Sequence, residues 1–449
     1  MTIGEPTSAT TGRGTYATSA SPSFPDVVKV FTRIGLLSFG GPTAQIALMH
    51  RVIVEERGWL SEDHFLSALG FCMLLPGPEA MQLATYTGWR LYGVKGGLAA
   101  GLLFVLPGAI LVLALAAIYA AFGQVPVVQA IFLGIKAAVL IIVIEALLRI
   151  AKRALKLRAH WVLAGFSFVA IFFLSLPFPL LIVAAAGIGF VLAWVQAEPV
   201  EVASTPVAAL TKVGFGPTMT TVGIWLLIWF GPLVAVALAF GRDHVLSQLA
   251  VFFSKLAVVT FGGAYAVLAY MAQDVVQGHG WLNAGEMIDG LGLAETTNGP
   301  LILVTEFVGY LAAYRFGDGP PMLMGLIGAA VTLWATFVPC FLWIFAGAPY
   351  VERLQSSPRL KGGLSGVTAA VVGVILNLAV WFGLHVFFGT VTLVATGPLT
   401  IWVPELTTLD WRAVAFAVIA ALALLRFRIG VAWTLALVGG LALGWHSMV

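Results

Sequence analysis

The sequence has little charge for its length. Charged residues make up only 10% of its 449 residues, whereas a soluble domain carries about 25%. Apolar residues make up 60%, and the mean hydropathy is +1.00. This composition excludes an ordinary soluble domain and indicates a polytopic membrane protein. The net charge of +3 is small, and no basic cluster is interleaved with aromatic residues, so nothing indicates nucleic acid as a partner.

Residues that carry chemistry are also scarce. The two cysteines, Cys72 and Cys340, both lie in apolar segments and form neither a disulfide framework nor a metal site, so no cofactor is expected. No His-x-x-x-His pattern and no Gly-x-x-x-x-Gly-Lys-[Ser/Thr] loop is present, so ATP is not the expected energy source. An intramembrane enzyme acting on lipid stays an unfavoured alternative, and the protein is not expected to be an enzyme.

Long apolar stretches fill the rest of the chain. Residues 1–25 are rich in Ser, Thr, Gly and Pro and are predicted to be a disordered tail. About thirteen stretches follow that are long enough to cross about 30 Å of hydrocarbon. The predicted fold is therefore an all-α polytopic membrane protein.

An internal duplication organises these segments. The segment that begins at Phe31 recurs at Phe253, and the numbers of equivalent residues differ by 222 from Gly41 and Gly263 to Gly77 and Gly299. Further on, Pro107 matches Pro339 and Gly134 matches Gly366, with a difference of 232. The predicted repeats are residues 26–196 and 246–449. Between them, residues 197–245 form a linker and one connecting segment, which would invert the second repeat in the membrane.

Loop charges give an orientation. The densest basic loop, residues 149–158, is predicted to be cytoplasmic by the positive-inside rule. Counting outward from it places the N-terminus in the cytoplasm, the loop 51–63 outside and the C-terminus outside. The acidic loop 274–289 does not fit this count.

Each copy carries two helix breaks at equivalent positions. The first is Ser38-Phe39-Gly40-Gly41-Pro42 or Thr260-Phe261-Gly262-Gly263-Ala264, and the second is Leu75-Pro76-Gly77-Pro78 or Thr297-Asn298-Gly299-Pro300. Paired glycines destabilise a helix and proline suits its first turn, so four discontinuous helices are predicted. Helix N-termini that meet at such breaks form an anion site without a basic side chain at its centre. The alternative is that Gly and Pro here only allow close packing or kinks.

The predicted substrate-binding residues come from these breaks and their flanks. Arg33 and Lys255 are equivalent cations that either attract an anion or extend to the membrane surface. Glu79, one of four intramembrane acids with Glu145, Glu295 and Glu306, is either a proton carrier or a helix cap. Ser61 and Asn283 are predicted N-caps. The full set of predicted binding residues is Arg33, Ser38, Gly40, Gly41, Thr43, Gly77, Glu79, Lys255, Thr260, Gly262, Gly263, Thr297, Asn298 and Gly299.

The motifs resemble the chromate ion transporter family in its long two-domain bacterial form. They are Ser38-Phe39-Gly40-Gly41-Pro42, Gly58-Trp59-Leu60, Leu74-Leu75-Pro76-Gly77-Pro78 with Gln82, and Phe261-Gly262-Gly263 with Gly299-Pro300 and Gly309. The resemblance covers residue 27 to the end. It implies export of chromate across the bacterial cytoplasmic membrane, coupled to protons. Transport of sulfate or another oxyanion, with chromate carried by mimicry, is the alternative. Asn298 and Glu306 depart from the family pattern.

Overall fold

A computed structural model describes residues 22–195, 215–261, 264–351 and 358–448. These residues form sixteen α-helices and one antiparallel hairpin of two strands. The helices are α1 (Phe24–Leu37), α2 (Gly41–His50), α3 (Glu62–Cys72), α4 (Glu79–Phe122), α5 (Pro126–Ala154), α6 (Arg158–Phe172), α7 (Phe178–Val195), α8 (Phe215–Phe240), α9 (Val245–Val259), α10 (Ala264–Gln273), α11 (Ala284–Thr296), α12 (Val304–Phe316), α13 (Pro321–Gly347), α14 (Pro358–Phe387), α15 (Trp411–Ala421) and α16 (Val431–His446). The strands are β1 (Val391–Thr396) and β2 (Leu399–Pro404).

The prediction of an all-α polytopic membrane protein is confirmed. Within the described residues, six helices are long and apolar enough to cross a membrane. The figure of thirteen crossings stays a prediction. The N-caps are confirmed: the Ser61 and Asn283 side chains accept hydrogen bonds from the backbone N–H groups of His64 and Glu286.

The chain turns back on itself at the breaks. Arg33 of α1 pairs with Glu56, which follows α2, at 3.5 Å. Twenty-three residues of uninterrupted helix would separate them by about 35 Å, so α1 and α2 must fold back as a hairpin. In the second copy, the rings of Phe252 in α9 and Tyr270 in α10 lie 6.0 Å apart across the equivalent break.

The second break of each copy also reverses the chain. Arg315 near the end of α12 binds Glu286 near the start of α11, so these two helices are antiparallel. Helix α4 is itself interrupted at Tyr92 and Gly93, whose backbone angles are not helical. There the chain reverses, because the backbones of Gly88 and Gly96 touch. We call residues 79–91 α4a and residues 94–122 α4b.

Four helical hairpins result, and they come from two sides. Hairpin 1 is α1–α2, hairpin 2 is α3–α4a, hairpin 3 is α9–α10 and hairpin 4 is α11–α12. The ring of Tyr92 packs on Phe24, so hairpins 1 and 2 open on the side where α1 begins, here named the N-side. Tyr119, at the far end of α4b, binds Asp289 of α11, so hairpin 4 opens on the opposite side, the C-side.

Hairpin 3 also opens on the C-side, because His244 before α9 lies beside Asp318 after α12. The two hairpin pairs therefore open in opposite directions.

This path corrects two loop assignments. Hairpin 1 returns the loop 51–63 to the N-side, whereas counting crossings placed it opposite the N-terminus. Hairpin 3 likewise leaves the acidic loop 274–289 on the C-side. Hydropathy gives the same signal for a segment that crosses and for one that enters and returns, so the count had no means of separating them.

Candidate functional site

The tips of the four hairpins meet inside the protein. The Gly77 N–H of hairpin 2 donates to the Thr260 carbonyl of hairpin 3 over 2.9 Å, and the Gly299 N–H of hairpin 4 donates to the Ser38 carbonyl of hairpin 1 over 2.9 Å. Each residue of one bond is the repeat equivalent of a residue in the other. The two copies therefore exchange the same backbone hydrogen bond, and the duplicated breaks form the contact between them.

Side-chain amides strengthen one of these contacts. Gln45 donates to the carbonyl of Gly299 at 2.6 Å and lies 3.3 Å from that of Ser38. Asn298 donates to the carbonyl of Gly35 at 3.1 Å. The tips of hairpins 1 and 4 are therefore fastened by their backbone and by two amide side chains.

The tips are also closely packed against the long helices. A Cβ on Gly77 would lie 2.9 Å from the Cys340 sulfur of α13, and a Cβ on Gly108 of α4b would lie 2.1 Å from the carbonyl oxygen of Asn298. Gly108 and Cys340 are themselves equivalent, with a number difference of 232. Each second break is thus held between its own hairpin and a long helix of the other copy.

A cavity of about 340 Å³ lies beside these tips. Hairpin 1 contributes the start of α2, hairpin 3 the start of α10, and hairpin 2 the start of α4a, while α5 forms the opposite wall. The lining residues are Gly40, Gly41, Pro42, Thr43, Met73, Glu79, Ile142, Ala146, Arg149, Ile150, Arg153, Ala154, Ala264, Tyr265, Glu295, Thr368 and Val431. Arg153 and Ala154 are at the N-side end of α5, so the cavity extends from the tips toward the N-side.

Helix N-termini face this cavity. Gly40 precedes α2 with φ +84° and gives no side-chain cap, and Pro78 precedes α4a without a cap. Helix α10 begins at Ala264, which also lines the cavity. The first N–H groups of a helix lack partners within the helix and carry the positive end of its dipole. Three such ends on one cavity favour an anion.

Charged side chains add to the helix ends. Arg149 and Arg153 lie four residues apart and therefore on one face of α5. Arg149 pairs with Glu145 at 2.9 Å, whereas Arg153 has no ion pair among the described residues. Glu79 is the first residue of α4a, and its carboxyl group interacts electrostatically with Arg153. Glu295 of hairpin 4 accepts a hydrogen bond from Tyr265 of hairpin 3 at 2.7 Å. The cavity thus offers cations, donors and two carboxylates that can hold protons.

Comparison with known proteins gives the family. The sequence profile described as chromate transporter matches residues 25–190 and 247–445. The chain belongs to the chromate transporter family. It is 32% identical over 380 residues to the chromate transport protein of Cupriavidus metallidurans, covering 83% of this chain and 85% of that one.

Two further relatives of this family have similar coverage. The chromate transport protein of Pseudomonas aeruginosa is 32% identical over 82% of this chain and 83% of its own. The probable chromate transport protein of Synechococcus elongatus is 31% identical over 80% of this chain and 85% of its own. No solved structure matches the chain.

Within this chromate transporter fold, the predicted binding residues separate into groups. Gly40, Gly41, Thr43 and Glu79 line the cavity. The other described break residues lie at the tips without lining it: Ser38, Gly77, Thr260, Thr297, Asn298 and Gly299. Gly262 and Gly263 lie outside the described residues.

Several donors that were predicted to bind substrate have partners within the protein. The hydroxyls of Ser38, Thr260 and Thr297 donate to carbonyls of their own helices. The N–H groups of Gly77 and Gly299 join the tips. These residues therefore shape the tips, whereas the N-termini of α2 and α4a beside them have no side-chain cap.

The two predicted cations lie away from the cavity. Arg33 pairs with Glu56, and its side chain is 55% exposed. The Lys255 ammonium lies over the ring of Tyr270, 5.8 Å from its centroid. Arg149 and Arg153 stand at the cavity instead. The sequence contained a signal for them, since they are four residues apart and continue the helical spacing of α5, but they were interpreted as loop charges that set topology.

Proposed function

We propose that this protein exports chromate from the cytoplasm and that the cavity at the hairpin tips is its cytoplasm-facing binding site. The observation that carries the proposal is the convergence of three helix N-termini, of which those of α2 and α4a have no side-chain cap, with Arg149 and Arg153 on one cavity. Such an arrangement suits a small dianion, because helix ends supply directed N–H groups and the arginines supply charge. The names of the relatives, chromate transport proteins, support chromate as that dianion.

The basic N-side supports the direction of export. Lys29, Arg90, Lys95 and the loop 149–158 lie at N-side ends, which the positive-inside rule assigns to the cytoplasm. The cavity then opens to the compartment from which chromate is removed, and export gives resistance to chromate. With no ATP-binding loop in the sequence, the energy comes from an ion gradient.

Proton coupling rests on the carboxylates of the cavity. Glu79 and Glu295 line it beside the arginines, so each competes with a bound anion for the same cations when it is ionised. Proton binding and anion binding are therefore linked at this cavity. Glu306 is different, because it is fully buried and both its carboxyl oxygens lack partners in the described structure.

Transport into everted membrane vesicles tests the function. Labelled chromate should accumulate, and an uncoupler should abolish the accumulation. Arg149→Gln and Arg153→Gln should each raise KM by about tenfold, which corresponds to a loss of about 1.4 kcal/mol of binding. Arg33→Gln and Lys255→Gln are matched controls, since they remove a cation outside the cavity, and their KM should stay within about twofold of the parent value.

The same vesicles test the coupling and the substrate. Glu79→Gln should leave chromate entry while reducing its dependence on external pH. Chromate accumulation that is unchanged by the uncoupler would contradict coupling to the proton gradient. Faster uptake of sulfate than of chromate, with a lower KM, would favour the second function, a sulfate transporter that carries chromate by mimicry.

A further inference from the structure

The two copies differ in how closely their first hairpin approaches the long helix beside it. On the N-side, α2 and α5 are separated by the cavity, which Thr43 and Ala146 both line. On the C-side the equivalent helices are α10 and α14, and Leu378 is the equivalent of Ala146. Leu378 instead lines a cavity of only about 20 Å³, together with Ala269 and Ala272 of α10. The same seam between helices is thus open in one copy and closed in the other.

We propose that the seam between α10 and α14 is the exit route and release site for the oxyanion. This inference rests on the proposed transport function. Inverted repeats alternate access by moving one unit against another around a fixed site. If each copy adopts the conformation now shown by the other, α10 moves away from α14 and α2 closes on α5. The cavity would then extend from the tips to the C-side.

The residues along this seam suit release of an anion. The small cavity is lined by the uncharged amides of Gln273, Gln277 and Asn377. The α14 positions equivalent to Arg149 and Arg153 are Trp381 and His385. The exit route therefore provides hydrogen-bond donors without the two arginines of the entry cavity, so an anion binds more weakly there.

The β-hairpin covers the end of the route. The ring of Trp402 in β2 packs on Trp381 at 6.4 Å and on His385 at 5.3 Å. The Thr400 N–H also donates to the carbonyl of Phe173 over 2.8 Å, which holds β2 against the end of α6. Trp402 also lines the small cavity, so it covers the seam at this end.

A crosslink across the seam tests the proposal. Ala272→Cys with Leu378→Cys places one thiol on each side of the small cavity, and oxidation or a short bifunctional thiol reagent would fix α10 to α14. We expect the linked protein to lose at least about 90% of chromate transport while its chromate affinity, measured by equilibrium dialysis, stays within twofold. Reduction should restore transport. The native cysteines Cys72 and Cys340 are buried and stay in place.

The chain offers a matched control for the crosslink. Phe190→Cys with Gly363→Cys joins α7 to α14 in a contact away from the seam. A Cβ on Gly363 would lie 3.9 Å from the Phe190 Cβ, close to the spacing of a disulfide. This link should leave transport unchanged. Full transport by the linked seam pair would overturn the proposal.

A second measurement needs no crosslink. Asn377→Cys should react with a membrane-impermeant maleimide from the C-side faster during transport than at rest, whereas Leu406→Cys, which is 75% exposed after β2, should react equally in both. An Asn377→Cys protein that transports without any gain in reaction would overturn the exit route. Absence of chromate transport by the parent protein would instead refute the proposed function, so the two failures are distinguishable.

Discussion

Replacement of Gly77 by alanine tests how the hairpin tips are held. Gly77 has φ +120°, and a Cβ there would lie 2.8 Å from the Gln82 amide nitrogen and 2.9 Å from the Cys340 sulfur. A side chain at such a backbone angle costs about 1–3 kcal/mol, and overpacking in a filled core costs about 1–3 kcal/mol more. We therefore expect Gly77→Ala to lose about 2–6 kcal/mol of stability. Because its N–H also joins hairpin 2 to hairpin 3, transport should fall with it.

Comparison with the second copy suggests a variant that separates the backbone strain of Gly77→Ala from its overpacking. Gly77 faces Cys340 of α13, whereas its equivalent Gly299 faces Gly108 of α4b, which is the equivalent of Cys340. Cys340→Gly in the Gly77→Ala protein would remove the sulfur contact and leave the backbone strain. The double variant should recover part of the overpacking share of about 1–3 kcal/mol, because the contact with the Gln82 amide nitrogen remains, while Cys340→Gly alone should cost less than Gly77→Ala.

Thermal unfolding of the purified protein and chromate uptake by vesicles measure both effects. Gly58→Ala is the control, because Gly58 also has positive φ (+60°) but no atom within 4 Å of a Cβ, and it lies before α3, away from the tips. It should show the strain without a loss of transport. A Gly77→Ala protein with parental stability and uptake, or one that Cys340→Gly fails to improve, would refute this account of the tip.

Two other substitutions follow from the same packing. Gly108→Ala would place a Cβ 2.1 Å from the backbone oxygen of Asn298. A backbone atom cannot move aside by a change of rotamer, so uptake should fall by at least about tenfold. Gly165→Ala, on α6 with no atom within 4 Å of a Cβ, should be neutral, and equal uptake by the two variants would contradict the contact. Arg315→Met leaves the buried Glu286 without its partner and should cost about 3–5 kcal/mol of stability. Addition of Glu286→Gln should recover part of that loss in the same thermal assay, and no recovery would show that the ion pair is not the cause.

The breaks were predictable because glycine and proline act locally. Gly40, Gly41, Gly77 and Gly299 all have positive φ, which other residues rarely adopt, so their positions in the sequence mark where helices stop. The direction of the chain after each stop was not predictable. It depends on contacts such as Arg33 with Glu56, which join residues on both sides of a break.

The site was predictable only in part for a related reason. The helix ends at Gly40, Gly41 and Glu79 follow from the breaks and do line the cavity. Arg149 and Arg153 follow from the length of α5, which continues to Ala154, whereas the apolar stretch ends near residue 148. A hydropathy profile ends a helix at its first charges, so it assigns these arginines to a loop. It therefore gives no sign that the two side chains lie on the same face of α5.

The differences between the copies provide the last test, through Gln45. The amides of Gln45 and Asn298 fasten hairpin 1 to hairpin 4, but their equivalents in the pair of hairpins 2 and 3 are Val267 and Pro76, which donate no such bonds. If the copies exchange conformations, the exchanged state lacks these bonds. Each contributes about 0.5–1.5 kcal/mol, so the N-side-open state should be favoured. Gln45→Leu removes the amide at similar size and should speed the resting reaction of Asn377→Cys with maleimide by up to about tenfold, since about 1.4 kcal/mol equals one factor of ten. An unchanged resting rate would show that the amides fix the tips without setting which side is open.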